Sequence, residues 1–302
     1  MNTFTEAEAF RLDRRQVREA FDRAAPGYDA AAVLQREVGA RLMERLELTT
    51  LTPARILDVG CGTGRATREL MRNYRGAQTV AADLAPAMLR EVRSRFWFRR
   101  PGLVCADAAS LPFAEAGFDL VFCNLMLQWC DDLDACLNEL RRVTATPGLL
   151  LFSTFGPDTL KELRAAWREV DGATHVNGFV DMHDIGDALI RAGFVEPVMD
   201  VEYITLTYDD VFGLMRDLKR IGAHNVTGGR VRNLTGRGRL QKLSAAYEHA
   251  RHDGRLPATY EVVYGTAWTP ALRQDAAYAD HSGGLSIEGL RRSLKHRDRS
   301  SG

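Results

Sequence analysis

Arg55-Ile56-Leu57-Asp58-Val59-Gly60-Cys61-Gly62-Thr63-Gly64 is the stretch around which the chain is organised. Arg55 to Val59 reads as a buried strand that ends on an acid and breaks into a glycine turn. A helical pattern starts beyond it, at Arg65-Ala66-Thr67-Arg68-Glu69-Leu70-Met71. Gly60 and Gly62 let the backbone turn without a Cβ clash, and Gly64 lets the helix pack closely on the strand. The N–H groups of the turn and the N-terminus of the helix are expected to face an open crevice.

The spacing decides what that crevice takes. A dinucleotide fingerprint has two residues between its second and third glycines, whereas Thr63 alone separates Gly62 from Gly64. A carboxylate at Asp58 repels a pyrophosphate but attracts a ligand bearing an ammonium and a sulfonium. The acid-x-Gly-x-Gly-x-Gly string resembles the S-adenosylmethionine loop of class I methyltransferases, which implies S-adenosyl-L-methionine as cofactor. A turn that binds nothing and a nicotinamide site are the competing readings.

Strand and helix patterns alternate outward from the turn. They run as a strand at 78–84, a helix from Pro86 to about Phe96, strands at 103–106 and 118–124, a helix at 132–144 and a strand at 149–154. That rhythm predicts an α/β fold, Rossmann-like, with a parallel sheet and helices on both faces, and ligands beyond the carboxyl ends of the strands. Those ends carry Asp58, Asp83, Asp107 and Asn124. Asp83, beside Leu84 and 19 residues beyond Gly64, suits a carboxylate accepting both ribose hydroxyls. Asp107-Ala108 falls where an adenine edge would lie, and Asn124 precedes Leu125-Met126-Leu127-Gln128-Trp129.

Two amphipathic helices precede the first strand. One spans 6 to about 25, with Val17, Ala20, Phe21 and Ala24 on one face; Pro26-Gly27 breaks it, and Tyr28-Asp29 follows. The second spans about 30–48 with Val33, Leu34, Val38, Leu42, Met43 and Leu46. They form either a lid over the ligand or ordinary edge packing. After the fifth strand come helical patterns at 157–170 and 184–192. Strand patterns at 194–208 and 259–268 then form the antiparallel hairpin expected to close the sheet, and about fifty residues lie between them. From Val211 to Arg255 there are ten Lys or Arg against three acids, although the whole chain has 40 of each. A basic face of this kind steers an acidic partner. The organisation expected is a helical lid at 1–50, a cofactor-binding core at 51–207, a basic helical insertion at 208–257, a closing strand at 258–270 and a disordered tail at 283–302.

With 302 residues, 45% hydrophobic, the chain can bury one large domain plus an insertion. Balanced charge points to neither nucleic acid nor membrane, and the N-terminus lacks a basic-then-apolar signal. The five cysteines, Cys61, Cys105, Cys123, Cys130 and Cys136, show no Cys-x-x-Cys spacing, which fits a reduced, cytoplasmic protein without a metal site. His175 and His183 flank Asn177-Gly178-Phe179, a loop that either lines the pocket or simply packs.

Several segments resemble the malonyl-acyl-carrier-protein O-methyltransferases of biotin synthesis, over roughly Arg14 to Thr269. They include 20–29 (AFDRAAPGYD), Leu34-Gln35-Arg36, 124–130 (NLMLQWC), 215–223 (MRDLKRIGA), Gly229-Arg230 and 256–260 (LPATY). The resemblance implies a seven-stranded, mostly parallel sheet with an antiparallel last strand. It also implies methyl transfer from S-adenosyl-L-methionine to the free carboxylate of a malonyl thioester on acyl carrier protein or coenzyme A. On that reading Tyr28 closes over the cofactor and Lys219 or Arg230 orients the carboxylate, with Gln128, His224 and Asn225 as further candidates. Asp58, Gly60, Gly62, Gly64, Asp83, Leu84, Asp107, Ala108 and Asn124 hold the cofactor. The alternatives are a class I methyltransferase acting on another small acid or on a protein, and a non-catalytic module that binds cofactor and carrier.

Overall fold

The computed structural model describes residues 12–96, 99–171, 175–223 and 236–270. The start of the first expected helix, His224, Asn225, Arg230 and the 283–302 tail lie outside the described residues.

The central run is β1 (Arg55–Val59), α4 (Arg65–Asn73), β2 (Gln78–Asp83), α5 (Pro86–Arg95), β3 (Gly102–Cys105) and β4 (Phe118–Asn124). It continues through α6 (Leu133–Val143), β5 (Thr144–Phe155), α7 (Lys161–Val170), α8 (Met182–Arg191) and β6 (Val195–Tyr208). Then come α9 (Val211–Arg220), α10 (Arg237–Glu248) and β7 (Leu256–Trp268). Before β1 lie α1 (Arg14–Ala24), a 3₁₀ turn (Ala25–Gly27), the single turn α2 (Tyr28–Ala31) and α3 (Val33–Glu47).

The strands form one seven-stranded sheet in the order β3-β2-β1-β4-β5-β7-β6. β1 to β5 pair in parallel, and β7 enters antiparallel to both β5 and β6. This is the expected Rossmann-like sheet, with the late hairpin closing it. Strand order reverses between β1 and β4, so the crevice at the C-terminal tip of β1 is where such a sheet takes its ligand.

Alternation along β4 and β5 feeds two cores. Leu120, Phe122, Leu149 and Leu151 face Leu42 of α3, Leu70 of α4 and Trp167 of α7. Val121, Cys123, Leu150 and Phe152 face Leu137 and Leu140 of α6 and Leu189 of α8. Each of these aliphatic side chains contributes about 1.5–3 kcal/mol by leaving water, which makes the sheet the rigid base of the site.

Some boundaries differ from the pattern. β5 begins at Thr144 because that residue pairs with Phe118 ahead of the apolar run. β7 begins at Leu256, since β6 is long enough to pair Tyr208 with it. The second helix is interrupted at Ala32, which leaves the helical region (ψ 50°) and leaves Val33 half exposed rather than in the apolar face. At that break the chain passes from above the strand ends to the face of the sheet. Among the described residues no helix is long and apolar enough to cross a membrane.

Candidate cofactor and substrate site

The turn after β1 is built as a tie to the sheet. The N–H groups of Gly60 and Cys61 both donate to the Ala82 carbonyl (2.8 and 3.1 Å), and that of Gly64 donates to Cys61 (2.9 Å). The Gly62 N–H donates to Asp83 Oδ2 at 2.9 Å. These N–H groups therefore do not point into an open crevice, as the sequence had implied. These four are engaged in holding the turn, while Thr63, Arg65 and Ala66 at the start of α4 line the hollow beside it. Gly64 has φ +80°, and a Cβ there would sit 2.9 Å from Val92 of α5, so its close approach is to a neighbouring helix.

What faces the hollow is carboxylate. Asp58 is 1% exposed, and burial pushes its carboxyl up to about 7, partly offset by hydrogen bonding from Thr67, with the charge of Asp83 adding to the rise. Asp83, held at its two oxygens by Gly62 N and Ala85 N (2.9 and 2.8 Å), is pushed by burial up to about 6. Two carboxylates that ionise reluctantly on either side of one glycine turn fit a ligand that brings positive charge and hydroxyl donors.

Two hollows flank the turn and share Tyr28, Gln35, Gly60, Gly62 and Asn124. Asp58 lines the first; Asp83, Leu84, Asp107, Ala108 and Gln128 line the second, which opens onto about 870 Å³. Gly64 supports the turn without lining either. Asp107 is engaged at both oxygens: its Oδ2 pairs with Arg14 Nη1 at 2.9 Å and its Oδ1 accepts from Ala109 N. Asn124 is a strut, donating from Nδ2 to the Gln35 carbonyl (3.0 Å) and accepting from Ser153 Oγ (2.8 Å).

The N-terminal helices divide their labour. α1 and α2 cover the strand tips: Phe21 meets Trp129 edge-to-face at 5.0 Å, and the Tyr28 ring lies over Gly62. Burial and the charges of Asp83 and Asp29 push the Tyr28 phenol well up, so it stays neutral. Asp22 accepts from Ala87 N at 2.8 Å, while Asp29 accepts from Thr63 Oγ1 and pairs with Arg95. α3 instead packs on the sheet face through Leu34, Val38, Leu42 and Leu46.

A third hollow joins the second across Gln35, Gln128 and Trp129. Its walls include Phe155, Trp167, Phe179, Leu218 and Tyr260, with His175 and Asn177 among them. Gln128 is fixed at both ends of its amide, donating to the Leu125 carbonyl (2.7 Å) and accepting from Thr154 Oγ1 (3.1 Å). α9 turns Met215 and Leu218 inward and leaves Lys219 exposed outside these walls. Lys219 is thus not brought to the site with Tyr28 and Gln128. His183 is exposed and bonded to Asp181, whereas His175 reaches the third hollow. Sequence reasoning missed Thr67, which donates to Asp58; a threonine one turn into a helix after such a loop was the available signal.

Residues 57–152 match the family model described as "Methyltransferase domain". The chain is 56% identical over 274 residues to a malonyl-[acyl-carrier protein] O-methyltransferase of Methylovorus sp. (strain MP688), covering 88% of this chain and 93% of that protein. It is 52% identical over 292 residues to the protein of that name from Halorhodospira halophila, covering 94% and 98%. The chain belongs to the malonyl-[acyl-carrier protein] O-methyltransferase family. Among solved structures, it resembles the YcgJ protein of Bacillus subtilis (TM-score 0.55, 14% identity, 76% of this chain and 98% of that one). It also resembles a Haemonchus contortus phosphoethanolamine N-methyltransferase solved with S-adenosyl-L-methionine (TM-score 0.51, 18% identity, 89% and 61%). Membership of this family makes the chain a methyltransferase that uses S-adenosyl-L-methionine, in line with the loop.

Proposed function

We propose that this chain methylates the free carboxylate of a malonyl thioester, carried on acyl carrier protein or on coenzyme A, in the cytoplasm. The observation that carries this is identity above 50% to relatives of that name over more than nine-tenths of their length. The ester would mask the charge and let the acyl chain be elongated as an apolar primer on the way to the pimeloyl unit of biotin. All five cysteines are free, as in a reduced compartment.

S-adenosyl-L-methionine supplies, when bound, an electrophilic methyl on a sulfonium. Asp83 would hold the ribose hydroxyls, with Leu84, Asp107 and Ala108 around the adenine, and Asp58 would balance the positive end across the glycine turn. Tyr28 closes the cover, and Asn124 keeps α3 registered against the strand tips through the Gln35 carbonyl.

A malonyl carboxylate has a reference pKa near 4 and is ionised at neutral pH, so the nucleophile needs no general base. The protein's contribution is alignment and removal of water. Gln128, between the second and third hollows, is the group we assign to orienting the acyl end. Arg230 keeps its assignment as the orienting cation through the family resemblance, and Lys219 passes to the carrier surface. The basic insertion at 208–257 would recruit the acidic carrier, with 1–50 covering the core at 51–207 and 258–270 completing its sheet.

Labelled S-adenosylmethionine supplied with malonyl-, succinyl- and acetyl-acyl carrier protein tests the reading. Label should enter the malonyl form, and acetyl, lacking the carboxylate, should be inert. Equal labelling of acetyl and malonyl forms would overturn it.

A further inference from the structure

The three hollows meet at one side chain. Among the described residues Gln35, near the start of α3, is the only one that lines all of them. Its backbone is pinned there. The carbonyl accepts from Asn124 Nδ2 at 3.0 Å, and one turn on, a Cβ at Gly39 would lie 3.0 Å from the same nitrogen. The side chain is uncommitted. It is half-buried, its amide makes no hydrogen bond among the described residues, and neither amide atom is sealed from solvent. A glutamine with a fixed root and a free tip has two N–H donors to give.

Its polar neighbours are less available. Tyr28 and Asn124 reach the first two hollows but not the third, and both ends of the Asn124 amide are engaged. Gln128 and Trp129 reach the second and third but not the first. Gln128 is bonded at both ends of its amide, and Trp129 offers a single indole N–H on a ring set edge-to-face against Phe21 of the cover.

Charge placement says what stands at the meeting point. Asp58 draws the methionine end of the cofactor to the first hollow, and Asp83 draws the ribose to the second. The sulfonium joins those two ends, so its methyl comes to the boundary between them, and the acyl group has the third hollow left to arrive from. A carboxylate attacking there needs one oxygen free and the other held. The free oxygen bonds the methyl as the methyl–sulfur bond breaks, the electron pair stays on sulfur, and no proton has to move. A neutral amide holds the second oxygen without adding positive charge beside the sulfonium.

We propose that Gln35 donates from Nε2 to the malonyl carboxylate oxygen that does not attack, which makes it a catalytic residue and a determinant of specificity for an ionised acyl end. This rests on the function proposed above. Arg230 can share that oxygen, which has two lone-pair sites, while Gln128 orients the rest of the acyl end.

The test separates carboxylate recognition from transfer. Malonyl-N-acetylcysteamine and its methyl ester are titrated calorimetrically into protein saturated with S-adenosylhomocysteine, where no methyl can move. Wild type is compared with Gln35→Met, which keeps the length and removes both donors, and with Gln35→Glu, which keeps the shape and, when ionised, only accepts. Neither substitution deletes a native hydrogen bond of this side chain, and S-adenosylhomocysteine should bind each variant within threefold of wild type. Wild type should bind the malonyl form more tightly than the ester. Gln35→Met should weaken the malonyl form about twentyfold and Gln35→Glu about a hundredfold at pH 7.5, with the ester within threefold in both. Turnover of malonyl-acyl carrier protein should fall in the same order.

Unchanged affinity for the malonyl form in both variants would overturn the proposal, as would equal losses for malonyl form and ester. So would a wild-type protein that methylates malonyl-acyl carrier protein yet binds the malonyl thioester no better than its ester, a comparison that needs no variant to fold. Failure of the wild type on malonyl-acyl carrier protein would instead remove the proposed function, and this assignment with it.

Discussion

Thr67 Oγ1 donates a 2.6 Å hydrogen bond to Asp58 Oδ2, and both side chains are buried. The first turn of α4 is thereby fastened to the carboxylate at the tip of β1, so loop, helix and charge move as one piece. Burial dominates the carboxyl, which is why it stands near 7 instead of its ordinary 3.8 despite that bond.

A pH dependence with a fixed sign follows for cofactor binding. Between the ordinary carboxylate range and about 7 the ligand-free protein holds protons on Asp58 and Asp83 that the unfolded chain would release. Its unfolding free energy therefore falls as pH rises through that window. A cationic ligand favours the ionised forms, so binding releases protons, and affinity for S-adenosylhomocysteine, whose ammonium remains, should climb from pH 5 to about 7 and then level. Calorimetry in buffers of differing ionisation enthalpy measures the release. Thr67→Val removes a bond to the charged form and should move the midpoint upward. Affinity flat from pH 5 to 8 would show that neither carboxylate faces the cation.

The cover over the site is latched by Asp29, which accepts from Thr63 in the glycine turn and pairs with Arg95 of α5. Asp29 is nearly half exposed, so solvent weakens the latch to about 1 kcal/mol. Asp29→Ala should lower S-adenosylhomocysteine affinity about fivefold and expose the Pro26-Gly27 segment to proteolysis in the ligand-free protein. Tyr28→Phe keeps the ring over Gly62 and should bind within twofold of wild type, whereas Tyr28→Ala should lose tenfold or more. Equal losses in the two Tyr28 variants would place the effect on the hydroxyl instead of the ring.

The sheet and the acids at the strand tips were legible because both obey short-range rules. Apolar runs alternate with helical periods, and Asp58 and Asp83 stand at fixed offsets from Gly60 and Gly64. What the pattern could not reveal depends on pairing across the chain. The N–H groups of Gly60 and Cys61 look free in the sequence, yet they are taken by Ala82, a residue of the adjacent strand. Val33 has the spacing of a core residue, but the break at Ala32 turns it outward. Lys219 lies in a segment that resembles the family and carries the right charge, but the helical phase of α9 gives the cavity to Met215 and Leu218.

The position of Lys219 sets a prediction opposite to that for a cavity-lining cation. Arg216, Lys219 and Arg220 on α9 and Arg237, Arg239 and Lys242 on α10 are all exposed, on the helices that help wall the third hollow or pack beside it. Charges at such a rim act on encounter and fade with salt, because the screening length falls from about 10 Å at 0.1 M to about 3 Å at 1 M. Lys219→Glu should therefore raise KM for malonyl-acyl carrier protein about five- to tenfold at low salt and less than twofold at 0.5 M, leaving kcat unchanged. KM for malonyl-N-acetylcysteamine, which has no acidic carrier, should not move. If Lys219→Glu instead lowered kcat on both substrates at every salt concentration, the side chain would have to reach the carboxylate during turnover, and α9 would have to rotate from the phase seen here.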